Sequence, residues 1–147
     1  MSLAGLFEKT SLKTNSKEIS VLEQYAELIL KWNSTRNLVS RNTNKEQINE
    51  HIFDCACITP FLDENKILDV GTGAGLPGIV VSILESKKKV TLLEPNQKKV
   101  SFWFFSSPVP VVELPWASKS ISRTFREAAE SEAARFKAVV VLPTPPF

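Results

Sequence analysis

Ile67-Leu68-Asp69-Val70-Gly71-Thr72-Gly73-Ala74-Gly75-Leu76-Pro77-Gly78 carries a short aliphatic strand straight into a glycine-rich turn. Lys66 to Val70 is a β-branched and aliphatic run whose one carboxylate, Asp69, stands beside the turn. Gly71, Gly73 and Gly75 supply the positive φ angles and bare backbone that a tight strand-to-helix turn needs. Pro77 suits the first turn of a following helix, where its missing N–H does no harm. That helix is predicted over Ile79 to Leu84, and the next strand over Lys89 to Leu93, ending at Glu94. Strand, glycine turn, helix and acid-ended strand together make the first half of a nucleotide-binding α/β sheet.

Two ligands compete for such a unit. The spacing Gly73-x-Gly75-x-x-Gly78 satisfies the dinucleotide fingerprint, with Glu94 about where a ribose-binding acid belongs. The other register, Gly71-x-Gly73-x-Gly75 preceded by Asp69, suits S-adenosylmethionine better. That ligand brings no pyrophosphate for the helix N-terminus, and a carboxylate beside the turn suits its cationic α-amino group. The bland alternative is a glycine turn with no ligand, but glycines rarely cluster in this way after a strand.

Outward from the turn, the composition is that of an ordinary soluble globular chain, 43% apolar and 23% charged. A net charge of +2 permits RNA binding without predicting it. No apolar run reaches membrane-span length and the N-terminus lacks a signal-peptide pattern, so the expected location is cytoplasmic. Cys55 and Cys57 are the only cysteines. On a helix they project about 200° apart, and two thiols make neither a zinc site nor a disulfide framework. They read as reduced packing residues, and no metal is expected.

Residues 1–65 are expected to form an N-terminal helical cap. Asn15 and Glu18 make a capping-box pattern, followed at helical spacing by Ile19, Leu22, Ala26, Ile29 and Trp32. A second helix is expected after Asn44, capped with Gln47, carrying Ile48, Ile52, Cys55 and Ala56 and stopped by Pro60. His51 beside that apolar line reads as a packing or hydrogen-bonding residue rather than a catalyst. Between the helices lies a basic loop, Ser34 to Asn44, whose Arg36 and Arg41 could meet RNA phosphates; a solvated connector is an equal reading. Lys98 and Lys99 carry the same pair of readings.

The stretch Asp69 to Ile79, with its Leu76-Pro77-Gly78 extension, resembles the signature of the glucose-inhibited division protein B family. Lys31-Trp32-Asn33 with Asn37-Leu38, His51-Ile52 with Asp54, and Thr91-Leu92-Leu93-Glu94 followed by Lys98-Lys99-Val100 match it in order, over about residues 18 to 103. Cys55 stands where the family usually has serine. The resemblance implies a class I methyltransferase, with a Rossmann-like sheet behind a helical cap. It implies methylation of N7 of a guanine in 16S rRNA, using S-adenosylmethionine, on free RNA or the small ribosomal subunit. It further implies that Gly71, Gly73, Gly75 and Leu76 line the methionine part, that Glu94 accepts from the ribose hydroxyls, and that Asp69 faces the amino group. Guanine N7 carries a lone pair and no proton, so no acid–base residue is sought, and the catalytic residue is left unassigned.

Residues 66–103 thus read as the first half of the core, and residues 104–147 as an atypical tail. Phe102 to Phe105 is wholly aromatic, Pro108, Pro110 and Pro115 break any helix, and no glycine follows Gly78. Ser122 to Ala138 has an amphipathic helical pattern, and Val139 to Leu142 reads as a strand. Codons for Gly-Gly-Val-Gly-Lys-Thr-Thr-Thr, read on the opposite strand in a shifted frame, give the Val-Val-Val-Leu-Pro-Thr-Pro-Pro of residues 139–146. The tail is therefore expected to be out of frame, and the sheet to be truncated with an exposed edge that favours association. Two alternatives follow: an inactive fragment of the same family and, disfavoured by Asp69 and Leu76-Pro77-Gly78, a nicotinamide-dependent oxidoreductase.

Overall fold

The computed structural model describes residues 2–96, 98, 99, 102 and 138–142 of the chain, the last five as backbone. Three helices precede the sheet: α1 (Leu3–Phe7), α2 (Ser16–Arg36) and α3 (Lys45–Ala56). A one-turn 3₁₀ helix (Thr59–Phe61) leads into β1 (Lys66–Val70), α4 (Gly78–Leu84), β2 (Lys89–Glu94) and finally β3 (Ala138–Leu142).

Both capping boxes form. Asn15 Oδ1 accepts the Glu18 N–H at 2.9 Å while Glu18 Oε2 accepts the Asn15 N–H at 2.9 Å. Asn44 and Gln47 repeat the exchange at 2.9 and 3.0 Å. Each box satisfies donors that a helix start otherwise leaves open, worth about 1 kcal/mol. α2 ends at Asn37, whose φ of 49° is a left-handed cap that asparagine tolerates.

Two local expectations change. α3 closes at Cys57, before Pro60, which instead falls in the first turn of the 3₁₀ helix, where a missing N–H costs nothing. His51 lies on the exposed side of α3 rather than packed in it. α1 has no counterpart among the sequence expectations: it is five residues long, too short for a periodic signal, and is anchored by the buried Leu3 and Phe7.

β1 and β2 are parallel neighbours, as expected of a strand–helix–strand unit, with Asp69 opposite Leu92 and Val70 opposite Leu93. The ladder runs on into the turn, where the N–H groups of Gly71 and Thr72 both donate to the Leu93 carbonyl, at 2.8 and 3.2 Å. β3 pairs antiparallel with the other edge of β2. Of the amphipathic pattern at 122–138 only Ala138 is described, and it opens β3; the rest of that pattern and the prolines at 108–115 and 143–146 lie outside the described residues.

One buried cluster joins cap and sheet. It includes Phe7 of α1, Leu22 and Ile29 of α2, Ile48 and Ile52 of α3, Val80 and Ile83 of α4, and Leu92 of β2. Full burial of each such side chain stabilises by about 1.5–3 kcal/mol. The helices thus pack into the same core as the strand–turn–helix unit.

Candidate cofactor site

The four glycines of the turn divide into two kinds. Gly71, at φ +77°, has open space where a side chain would stand. Gly73, at φ +62°, meets there only Lys99 Nζ at 3.8 Å and the Gly71 carbonyl at 3.9 Å. Gly75 instead faces inward: a Cβ on it would collide with Ile79 and come within 3.1 Å of the Tyr25 hydroxyl. Gly78 is likewise closed, against Leu92 and, at 2.8 Å, Asp69 Oδ2. Gly71 and Gly73 therefore offer bare backbone to a ligand, while Gly75 and Gly78 allow the turn and α4 to pack tightly on the core.

The two carboxylates are already engaged. Glu94 is 4% exposed; its Oε2 accepts the Gly73 N–H and its Oε1 the Asn96 N–H, each at 2.8 Å. A carboxylate has about four acceptor directions, so Glu94 keeps capacity for two hydroxyls beyond these bonds. Asp69, half-buried, accepts the Gly78 N–H on Oδ2 at 2.9 Å. Burial pushes its pKa above the usual carboxylate value, the neighbouring Thr72 hydroxyl and the Gly78 N–H hold it down, and the Glu94 charge raises it. Thr72 Oγ1 is itself buried and makes no hydrogen bond of ordinary geometry. Leu76, half-buried, packs against the core cluster.

A clamp from the cap was invisible in sequence. Tyr25, fully buried on α2, donates from its hydroxyl to the Ala74 carbonyl at 2.9 Å. Burial raises its pKa well above that of a free phenol, with the Cys55 and Asp69 charges adding to the rise, so it stays a donor. The periodic pattern marks Tyr25 as helical; only its reach across 49 residues reveals the contact.

The four basic residues do not share one setting. Arg36 lies over the Trp32 ring at 5.4 Å, and Arg41 Nε donates to Asn37 Oδ1 at 3.0 Å. Their loop is fastened by the buried Asn33, which donates to the Ser40 carbonyl and accepts the Val39 N–H, at 2.9 and 3.0 Å. Lys98 is exposed, whereas Lys99 turns back onto Gly73.

A parallel strand pair, a glycine turn with two open faces and an acid ending the second strand are the parts of a nucleotide-binding type of α/β unit. The family described as rRNA small subunit methyltransferase G matches residues 18–104, more than half of the chain, and the chain belongs to that family. Relatives named "Ribosomal RNA small subunit methyltransferase G" bear this out. That of Psychrobacter sp. (strain PRwf-1) is 45% identical over 78 residues, 53% of this chain and 35% of its own. That of Vibrio vulnificus (strain CMCP6) is 38% identical over 100 residues, 68% of this chain and 47% of its own. That of Nitrosomonas europaea is 47% identical over 83 residues, 56% and 39% of the two chains. The chain thus spans between about a third and a half of the length of these relatives. No solved structure matches it at a significant level.

Among the described residues no group of three or more His, Cys, Asp or Glu could hold a metal ion. No described helix is long and apolar enough to cross a membrane.

Proposed function

We propose that this chain binds S-adenosylmethionine at the glycine turn and belongs to an enzyme that methylates N7 of a guanine in 16S rRNA. The observation that carries the cofactor reading is the hydrogen bond from the Gly78 N–H to Asp69. In a dinucleotide site the N-terminus of this helix receives a pyrophosphate. Here a carboxylate already occupies it, and a second anion would meet like charge. A ligand with a cationic sulfonium and ammonium suits the same acids.

Gly71, Gly73 and Leu76 would lie along the methionine part, with Gly75 holding the turn from behind. Glu94 would take the ribose hydroxyls on its remaining acceptor directions, and Asp69 the amino group on the oxygen that Gly78 leaves free. The bound cofactor supplies a methyl group activated by the sulfonium. The protein's share is to hold donor and base in line, a contribution of about 7–11 kcal/mol. No residue need move a proton, because N7 has none to lose. The base must come from a loop or be unstacked, since A-form duplex hides its major-groove edge. Arg36, Arg41 and Lys98 would meet phosphates of the RNA or the small ribosomal subunit.

Calorimetry of the full chain with S-adenosylmethionine and with NAD tests the cofactor. Binding of the first alone is expected, and binding of NAD alone would overturn the reading. Incubation with labelled cofactor and 16S RNA or assembled small subunits then tests methylation. A chain that binds the cofactor yet leaves no N7 methyl on either substrate is the inactive alternative.

Residues 104–147 are, on this reading, an out-of-frame or rearranged segment, which the family match ending at residue 104 supports. The pairing of β3 does not decide it, because an apolar β-branched run adds to an open strand edge whatever its origin. Sequencing the locus does: an uninterrupted methyltransferase frame into this tail, with no antisense phosphate-loop match, would refute it.

A further inference from the structure

We infer that Lys99 receives the α-carboxylate of the cofactor's methionine portion, an assignment that rests on the S-adenosylmethionine reading above. Its ammonium lies 3.8 Å from the point where a Cβ on Gly73 would stand, in the space a ligand on that glycine enters. Backbone N–H groups tie Lys99 to Asn96 and Asn96 to Glu94. The Asn96 N–H donates to Glu94 Oε1 at 2.8 Å, and the Lys99 N–H donates to the Asn96 carbonyl at 3.0 Å. The acid that faces the ribose thus also sets the root of the lysine. Among the described residues no carboxylate or carbonyl bonds to that ammonium.

The charges of the ligand select the partner. S-adenosylmethionine carries a sulfonium, an ammonium and one anion, its α-carboxylate. Asp69 and Glu94 match the cations and the ribose but repel the anion, and the Gly73 N–H is spent on Glu94. Lys99 is a cation poised at the open glycine, able to make a charge-assisted hydrogen bond. An RNA phosphate would have to draw the same ammonium away from Gly73, whereas Lys98 is exposed in the same helical turn.

The test compares S-adenosylhomocysteine with 5′-methylthioadenosine, which keeps the adenosine and sulfur but lacks the amino acid. In calorimetry on the full chain, Lys99→Ala is expected to weaken the first by about tenfold to a hundredfold. Binding of the second should stay within about twofold of wild type, and Lys99→Arg should restore most of the lost affinity. A thermal melt checks that both variants fold. Equal losses for the two ligands, or none for S-adenosylhomocysteine, overturn the assignment. So does a loss of affinity for a 16S fragment with S-adenosylhomocysteine unaffected, which would give Lys99 to the RNA. If the wild-type chain binds neither ligand, the cofactor reading itself falls first, before any variant is compared.

Discussion

The Tyr25 hydroxyl donates to the Ala74 carbonyl across the interface between α2 and the glycine turn, at 2.9 Å and out of reach of solvent. Tyr25→Phe leaves that carbonyl buried and unpaired, a cost of about 1–3 kcal/mol. Denaturant unfolding should register this loss. Affinity for S-adenosylhomocysteine should fall as well, because the turn loses its support from behind. Loss of stability with unchanged affinity would show the clamp to be structural alone.

Alanine at Gly71 and at Gly78 should fail in different ways. At Gly71 the space is open but φ is +77°, so the variant folds with about 1–2 kcal/mol of backbone strain and binds cofactor poorly. At Gly78 the new methyl collides with Leu92 and Asp69, so cooperative unfolding itself should be lost or shifted far. Melting curves beside binding isotherms separate the two.

Asp69 makes stability depend on pH in an unusual direction. Its pKa in the folded chain is raised, chiefly by burial, so the folded state holds its proton more tightly than the unfolded chain. Stability from this group is therefore greatest below the unfolded carboxylate pKa and falls as pH rises through the folded one. Asp69→Asn keeps an acceptor for Gly78 without the charge. It should match or exceed wild-type stability at neutral pH, with the gap closing on acidification, while cofactor affinity drops. A gap that widens on acidification would contradict this.

Burial pushes the Cys55 thiol up to about 12, with the Asp54 and Asp69 charges adding to the rise. At pH 8 only about one molecule in ten thousand then carries the thiolate. Iodoacetamide should therefore modify Cys55 only as the chain unfolds, which mass spectrometry of peptides along a urea series would show.

Arg36 and Arg41 sit on a loop that Asn33 holds in one shape. If both meet phosphate, replacing each by alanine should lower the slope of log affinity against log salt by about 0.7–0.9 per site for 16S RNA. An unchanged slope would return the loop to a solvated connector.

Local grammar made most of the fold legible. The capping boxes at Asn15 and Asn44, the aliphatic run at Lys66 and the acid at Glu94 each announce an element through a few adjacent residues. What stayed hidden depends on distant partners. Nothing near Gly75 or Gly78 tells that Ile79 and Leu92 fill the space beside them, and nothing near Tyr25 tells that it reaches Ala74. Lys98 and Lys99 look alike in sequence; the turn that starts at Asn96 sends one outward and the other onto Gly73. Asp69 was legible as a carboxylate beside the turn, but its bond to Gly78 needed the helix to be placed first.

The pairing of β1 with β2 acts as the gauge that aligns the site. Gly71 and Thr72 continue the ladder by donating to Leu93, so Gly73 arrives level with the next residue, Glu94. A slip of one residue would carry Glu94 about 3.3 Å along the strand and turn it to the opposite face. The placing of Glu94 beside Gly73 is therefore set as much by strand alignment as by loop chemistry. Mutations in the middle of the sheet, such as at Leu92, could misalign it without touching any residue the ligand meets.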